Sequence, residues 1–128
     1  YMGKRRDNTW LKAFFLARIV ARRPAPPVER WAEHHVERTL ATGLRPGAVA
    51  EIARLRASGV RLVLASASPD VYVPILARRL GFDDVICTHA QRGADGRWTG
   101  VLEGGNCIGE EKLRRVALTL GAMSAELA

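Results

Sequence analysis

The 128 residues fit one domain, and 48% hydrophobic with 26% charged residues is ordinary for a globular chain. The longest apolar-rich run, Ala13 to Ala21, contains Arg18 and is too short for a bilayer span, which excludes a transmembrane reading. The net charge of +7 is concentrated at the start: residues 1–23 hold Lys4, Arg5, Arg6, Lys12, Arg18, Arg22 and Arg23 against Asp7. Such a field favours nucleic acid, a membrane surface or an anionic substrate. Cys87 and Cys107 give no disulfide framework and read as two reduced, partly buried thiols of a cytoplasmic protein.

In chain order, TWLKAFFLARIVAR at 9–22 predicts a helix that is apolar over most of its surface, ended by Pro24, Pro26 and Pro27. Trp10, Phe14, Phe15 and Trp31 are expected to form the core between this helix and the next. The second helix, about 28–42, puts Val28, Trp31, Ala32, His35, Val36 and Leu40 on one face. The two make a helical hairpin. Pro46 suits the first turn of a third helix, about 46–58, with Val49, Ile52, Ala53 and Leu55 available for packing.

A strand follows at 60–65. Leu62-Val63-Leu64-Ala65 does not alternate, so it is expected to be buried on both faces in the middle of a parallel sheet. Pro69 suits the opening of a helix to Leu80, with Ser68 as its cap and Gly81 closing it. Val85-Ile86-Cys87 is a second strand. Residues 89–103 form a hairpin around Ala94-Asp95-Gly96-Arg97, with Trp98-Thr99-Gly100-Val101 returning. Gly104-Gly105-Asn106 is a loop. The last helix, about 109–120, turns Leu113, Val116, Ala117 and Leu120 inward. Helix, strand, helix, strand is the rhythm of an α/β fold. A middle strand needs two neighbours, and 84–87 is one candidate; the sequence looks short of at least one strand.

Ligands of open α/β sheets bind beyond the carboxyl ends of the strands. Ser66 sits at such an end, near a helix start whose free N–H groups suit a phosphate. It reads equally as a small turn residue. In GNCIGEEKLRR, Lys112 lies in the first turn of a helix, where the dipole disfavours a cation. It makes sense there if it faces a bound anion; a solvated surface lysine is the plainer alternative.

Taken together, LVLASASPDVYVPILARRLGFDDVICT, the turn ADGRWTG, and GGNCIGEEKLRR resemble the phosphoserine-phosphatase-like branch of the haloacid dehalogenase (HAD) superfamily. The likeness covers about 46–120, with 9–43 corresponding to a helical cap. It implies a partial HAD-like Rossmannoid core at 45–128, of parallel strands with flanking helices, behind a cap segment at 1–44. It also implies a Mg²⁺-dependent phosphomonoesterase working through a phospho-aspartyl intermediate on a small phosphorylated metabolite. By this resemblance Ser66 and Ala67 match the phosphate-binding second motif. Lys112 matches the third motif, whose ammonium is catalytic and binds phosphate.

The family's first motif, D-x-D-G-T, supplies the nucleophile and the general acid. No D-x-D occurs among Asp7, Asp70, Asp83, Asp84 and Asp95. The fourth, G-D-x-x-x-D, is absent too, so the Mg²⁺ ligands are missing from these residues. The expectation is an internal stretch of a longer phosphatase, inactive alone, that self-associates through an unpaired sheet edge.

Two rivals remain. One is a non-catalytic HAD relative that binds phosphate or a partner. The other is a basic helical module at 4–23 that attaches to nucleic acid or an anionic membrane, although no recognised nucleic-acid motif follows it. His34, His35 and His89 lack metal-ligand spacing, and His35 is expected to pack.

Overall fold

The computed structural model describes residues 9–127. Lys4, Arg5, Arg6 and Asp7 lie outside the described residues. Helix α1, Thr9–Phe15, continues as a π-helical turn, Leu16–Val20. Helix α2, Ala25–Arg38, continues likewise over Thr39–Gly43. Then come α3 (Pro46–Ala57), β1 (Val63–Pro69), α4 (Val73–Leu80), β2 (Asp84–Arg92), β3 (Trp98–Glu103) and α5 (Gly109–Leu127). This is an α/β architecture, and the described sheet has the order β1-β2-β3. β1 and β2 run parallel, while β3 returns antiparallel beside β2.

The proline cluster at 24–27 and Pro69 both act differently from the sequence expectation. Pro26 and Pro27 lie inside the first turn of α2, which starts at Ala25. A proline there costs nothing, because its missing N–H would have no intrahelical partner. Pro69 does not open a helix: it is the last residue of β1, and α4 begins at Val73 with Pro74 in its first turn. The sheet holds the intervening chain, because the Asp70 N–H donates to the Thr88 carbonyl at 2.8 Å. Ser68 therefore caps nothing. Gly81 does close α4, in the left-handed region at φ 83°.

One apolar cluster joins the N-terminal helices to the sheet. Leu16 and Val20 end α1, Val28 and Ala32 come from α2, and Val71, Ala90 and Trp98 from the sheet side. The expected face of α2 holds: Val28, Ala32 and Val36 are buried, with Trp31, His35 and Leu40 half-buried beside them. Phe15 and Trp31 pack on this core, but Trp10 and Phe14 are more than half exposed. The core lies on the opposite side of α1, towards β3.

Three further packing expectations fail in whole or in part. Val63, Leu64 and Ala65 are half-buried, not enclosed on both faces, because β1 has a partner on one edge alone among the described residues. α5 presents Glu111, Lys112, Arg115, Val116, Thr119 and Met123 to the molecule, so Val116 faces inward as expected while Leu113, Ala117 and Leu120 are exposed. Polar anchors at Glu111 and Arg115 fix that rotation. α3 buries no residue among Val49, Ile52, Ala53 and Leu55.

Candidate active site

Ser66, Ala67 and Ser68 occupy an irregular stretch of β1. Ala65 pairs with Ile86 and Pro69 with Thr88, so β1 spends four residues where β2 spends two. The extra residues bulge out of the ladder, as bulges beside functional sites do. Within the bulge the Ser68 N–H donates to Ser66 Oγ at 3.1 Å. That bond uses a lone pair of the hydroxyl and leaves its proton available to another acceptor. Ser66 is half-buried.

Thr88, fully buried on β2, is the joint between this bulge and the approach to α5. Its Oγ1 lies 2.8 Å from the Ala67 carbonyl oxygen and 3.0 Å from Asn106 Oδ1, and it accepts the Cys107 N–H at 2.9 Å. A hydroxyl carries one proton, so the two acceptors share it. The Asn106 amide also donates to Thr9 Oγ1 at 3.0 Å, which reaches the first turn of α1. One buried hydroxyl thus ties the Ser66-Ala67 segment to the loop that leads into Lys112.

Arg115 secures the same loop from the helix side. Its guanidinium donates to the Gly105 carbonyl at 2.7 Å, to the Cys87 carbonyl, and to Glu111 Oε1 at 2.7 Å. Arg114 also binds Glu111, and the two guanidiniums hold the Glu111 carboxyl down at about 2. Lys112 stands in the first turn of α5, half-buried, with no hydrogen bond or ion pair to any described residue. Its ammonium is not spent on an internal carboxylate.

Asp70 braces the far end of the bulge. Its carboxylate accepts the Ala90 N–H at 2.9 Å and lies 3.3 Å from His89 Nδ1. Cys87 and Cys107 are both buried free thiols. Burial, with Asp70 and Cys107 adding to it, pushes the Cys87 thiol up to about 12, so it is no thiolate nucleophile near neutral pH. The described residues hold no group of three His, Cys, Asp or Glu side chains suited to a metal ion. Mg²⁺ therefore does not fit a site built from them.

Sequence reasoning did not single out Thr88, Asn106 or Arg115 as site residues. A signal existed for Thr88: like Ser66, it is a hydroxylated residue following an apolar strand run.

The haloacid dehalogenase-like hydrolase family model matches residues 5–128. The chain belongs to that family. Protein CicA of Caulobacter vibrioides, in two strains, is 35% identical over 116 residues, covering 91% of this chain and 52% of the relative. A solved structure of a protein with unknown function from Bordetella pertussis Tohama I superposes with a TM-score of 0.79 at 26% identity. It too covers 91% of this chain and 52% of its counterpart. The chain spans about half the length of the relatives it matches. No helix among the described residues is long and apolar enough to cross a membrane.

Proposed function

We propose that this HAD chain supplies the phosphate-binding side of a cytoplasmic phosphomonoester hydrolase of the phosphoserine-phosphatase-like branch, acting on a small phosphorylated metabolite by the phospho-aspartyl mechanism. The cap segment is 1–44 and the core segment 45–128. Ser66 donates its hydroxyl proton to a phosphoryl oxygen, and the adjoining Ala67 backbone shapes the cradle. Lys112 offsets the charge of the bound group. Both roles are positioning and charge stabilisation, which carry most of phosphoryl transfer. The two unpaired thiols suit a reducing compartment.

The observation that carries this reading is the Thr88 hydroxyl, which bonds the Ser66-Ala67 segment and the Lys112 loop at once. Mg²⁺ belongs to the complete family site, whose acidic ligands these residues do not provide. The chain by itself is inactive, because it contains no D-x-D nucleophile motif. Inorganic phosphate should raise its Tm, since a ligand that binds the folded state stabilises it. Ser66→Ala and Lys112→Ala should each abolish that shift. Mg²⁺-dependent turnover of p-nitrophenyl phosphate by the pure chain, or a phosphate shift indifferent to both substitutions, defeats the proposal.

A further inference from the structure

Between the N-terminal helices and the end of β1 lies a cleft of about 380 Å³ walled by Lys12, Phe15, Trp31, His35, Pro69 and Tyr72. Trp31 and His35, one turn apart on α2, stack with centroids 5.3 Å apart and planes 3° from parallel. Tyr72 stands edge-on to both, 4.5 Å from His35 and 6.3 Å from Trp31. Phe15 tilts against Trp31 at 5.8 Å. These four aromatic side chains are half-buried, not enclosed, so they retain surface facing the cleft.

The cleft adjoins the candidate phosphate site through one strand. Pro69 forms part of its wall and lies three residues beyond Ser66, at most about 10 Å along an extended chain. A phosphoryl group on Ser66 would direct its ester substituent into this space.

Resting on the phosphatase reading above, we infer that the substrate carries an aromatic leaving group without a cationic substituent, which packs among the rings of Trp31, His35 and Tyr72. Aromatic rings favour stacked and edge-to-face partners, and the cleft supplies both kinds of surface. A zwitterionic leaving group such as that of phosphoserine fits poorly. It would bring an ammonium to a wall whose described residues include Lys12 and no Asp or Glu. Like charges set side by side repel, so the Lys12 ammonium disfavours a second one there.

The test is a ligand-observed NMR titration of the chain with four probes: 1-naphthyl phosphate, O-phospho-L-serine, inorganic phosphate and 1-naphthol. The expected result is at least tenfold tighter binding of 1-naphthyl phosphate than of either O-phospho-L-serine or inorganic phosphate. Trp31→Leu, and separately Tyr72→Leu as a second variant with its own thermal melt, should reduce that preference to less than threefold. O-phospho-L-serine binding as tightly as 1-naphthyl phosphate overturns the aromatic assignment while leaving the phosphate site standing. If 1-naphthol binds as tightly as its phosphate and Ser66→Ala changes neither, the phosphatase reading falls and takes this inference with it. No binding of either naphthyl probe overturns it as well.

Discussion

At the scale of single residues, Thr88 concentrates the cost of building the site. Asn106 and Cys107 beside it are buried and Ala67 is half-buried, so removing the hydroxyl strands several polar groups together. Thr88→Val keeps the shape and should cost about 1–3 kcal/mol, read from the urea midpoint. Thr88→Ser should recover most of it. A valine variant as stable as the parent would show that the hydroxyl joins nothing.

Glu111 makes a different prediction, with a sign. Arg114 and Arg115 depress its carboxyl from near 4.5 to about 2. The ionised form is the bound form, so its stabilisation is complete above about pH 5. It fades as protonation begins near 4.5 and is gone below about 2. The difference in urea midpoint between parent and Glu111→Gln should therefore be greatest above pH 5 and vanish towards pH 2. A constant difference across that range would mean the ion pair contributes nothing. Lys112 and Ser66 belong to this scale too, as the residues proposed to face a phosphoryl group.

Among the elements, β3 explains a glycine that the sequence string only displayed. Gly100 has φ 86°, and a Cβ there would meet the Ala21 Cβ at 2.8 Å and the Ala17 Cα at 3.0 Å. The π-helical end of α1 rests directly on this backbone. Gly100→Ala adds a strained left-handed conformation to a steric clash and should cost about 1–3 kcal/mol. A lowered Tm checks it. Gly96→Ala, also at positive φ but with nothing within 4 Å, should cost less. The same contact places Arg22 at φ 63°, held by its N–H to the Trp98 carbonyl at 2.7 Å and by Arg97 donating to the Arg22 carbonyl. The N-terminal helices are thereby latched to the hairpin by backbone as well as by side chains. The bulge in β1 is the other elemental device, since it turns Ser66 out of the ladder.

For the whole molecule, surface is left over. β1 offers an unpaired edge among the described residues, and Leu113, Leu118 and Leu120 are each more than half exposed on α5. An open strand edge recruits another chain. We propose that the isolated chain self-associates there, a second copy occupying the space beside β1. Light scattering should give a mass at least twice 14.0 kDa at micromolar concentration. A monomer would count against it. The basic N-terminal module remains the reading that steeply salt-dependent binding to DNA or anionic liposomes would favour.

The sequence by itself determined the element types and the family motifs, because hydrophobic period, glycine placement and motif order are local properties. It predicted the inward face of α2 for the same reason. It misplaced the start of α4, since the pull of β2 on Asp70 and Pro69 is a pairing between strands that local propensity does not contain. It misplaced the inward face of α5, since apolar spacing pointed to Leu113 while Arg115 and Glu111 anchored the opposite rotation. Tertiary structure alone decided that Thr88, Asn106 and Arg115 tie the Ser66-Ala67 segment to the loop before Lys112. It alone also assembled Trp31, His35 and Tyr72 into one cleft, because α2 and the end of β1 meet only when the chain packs.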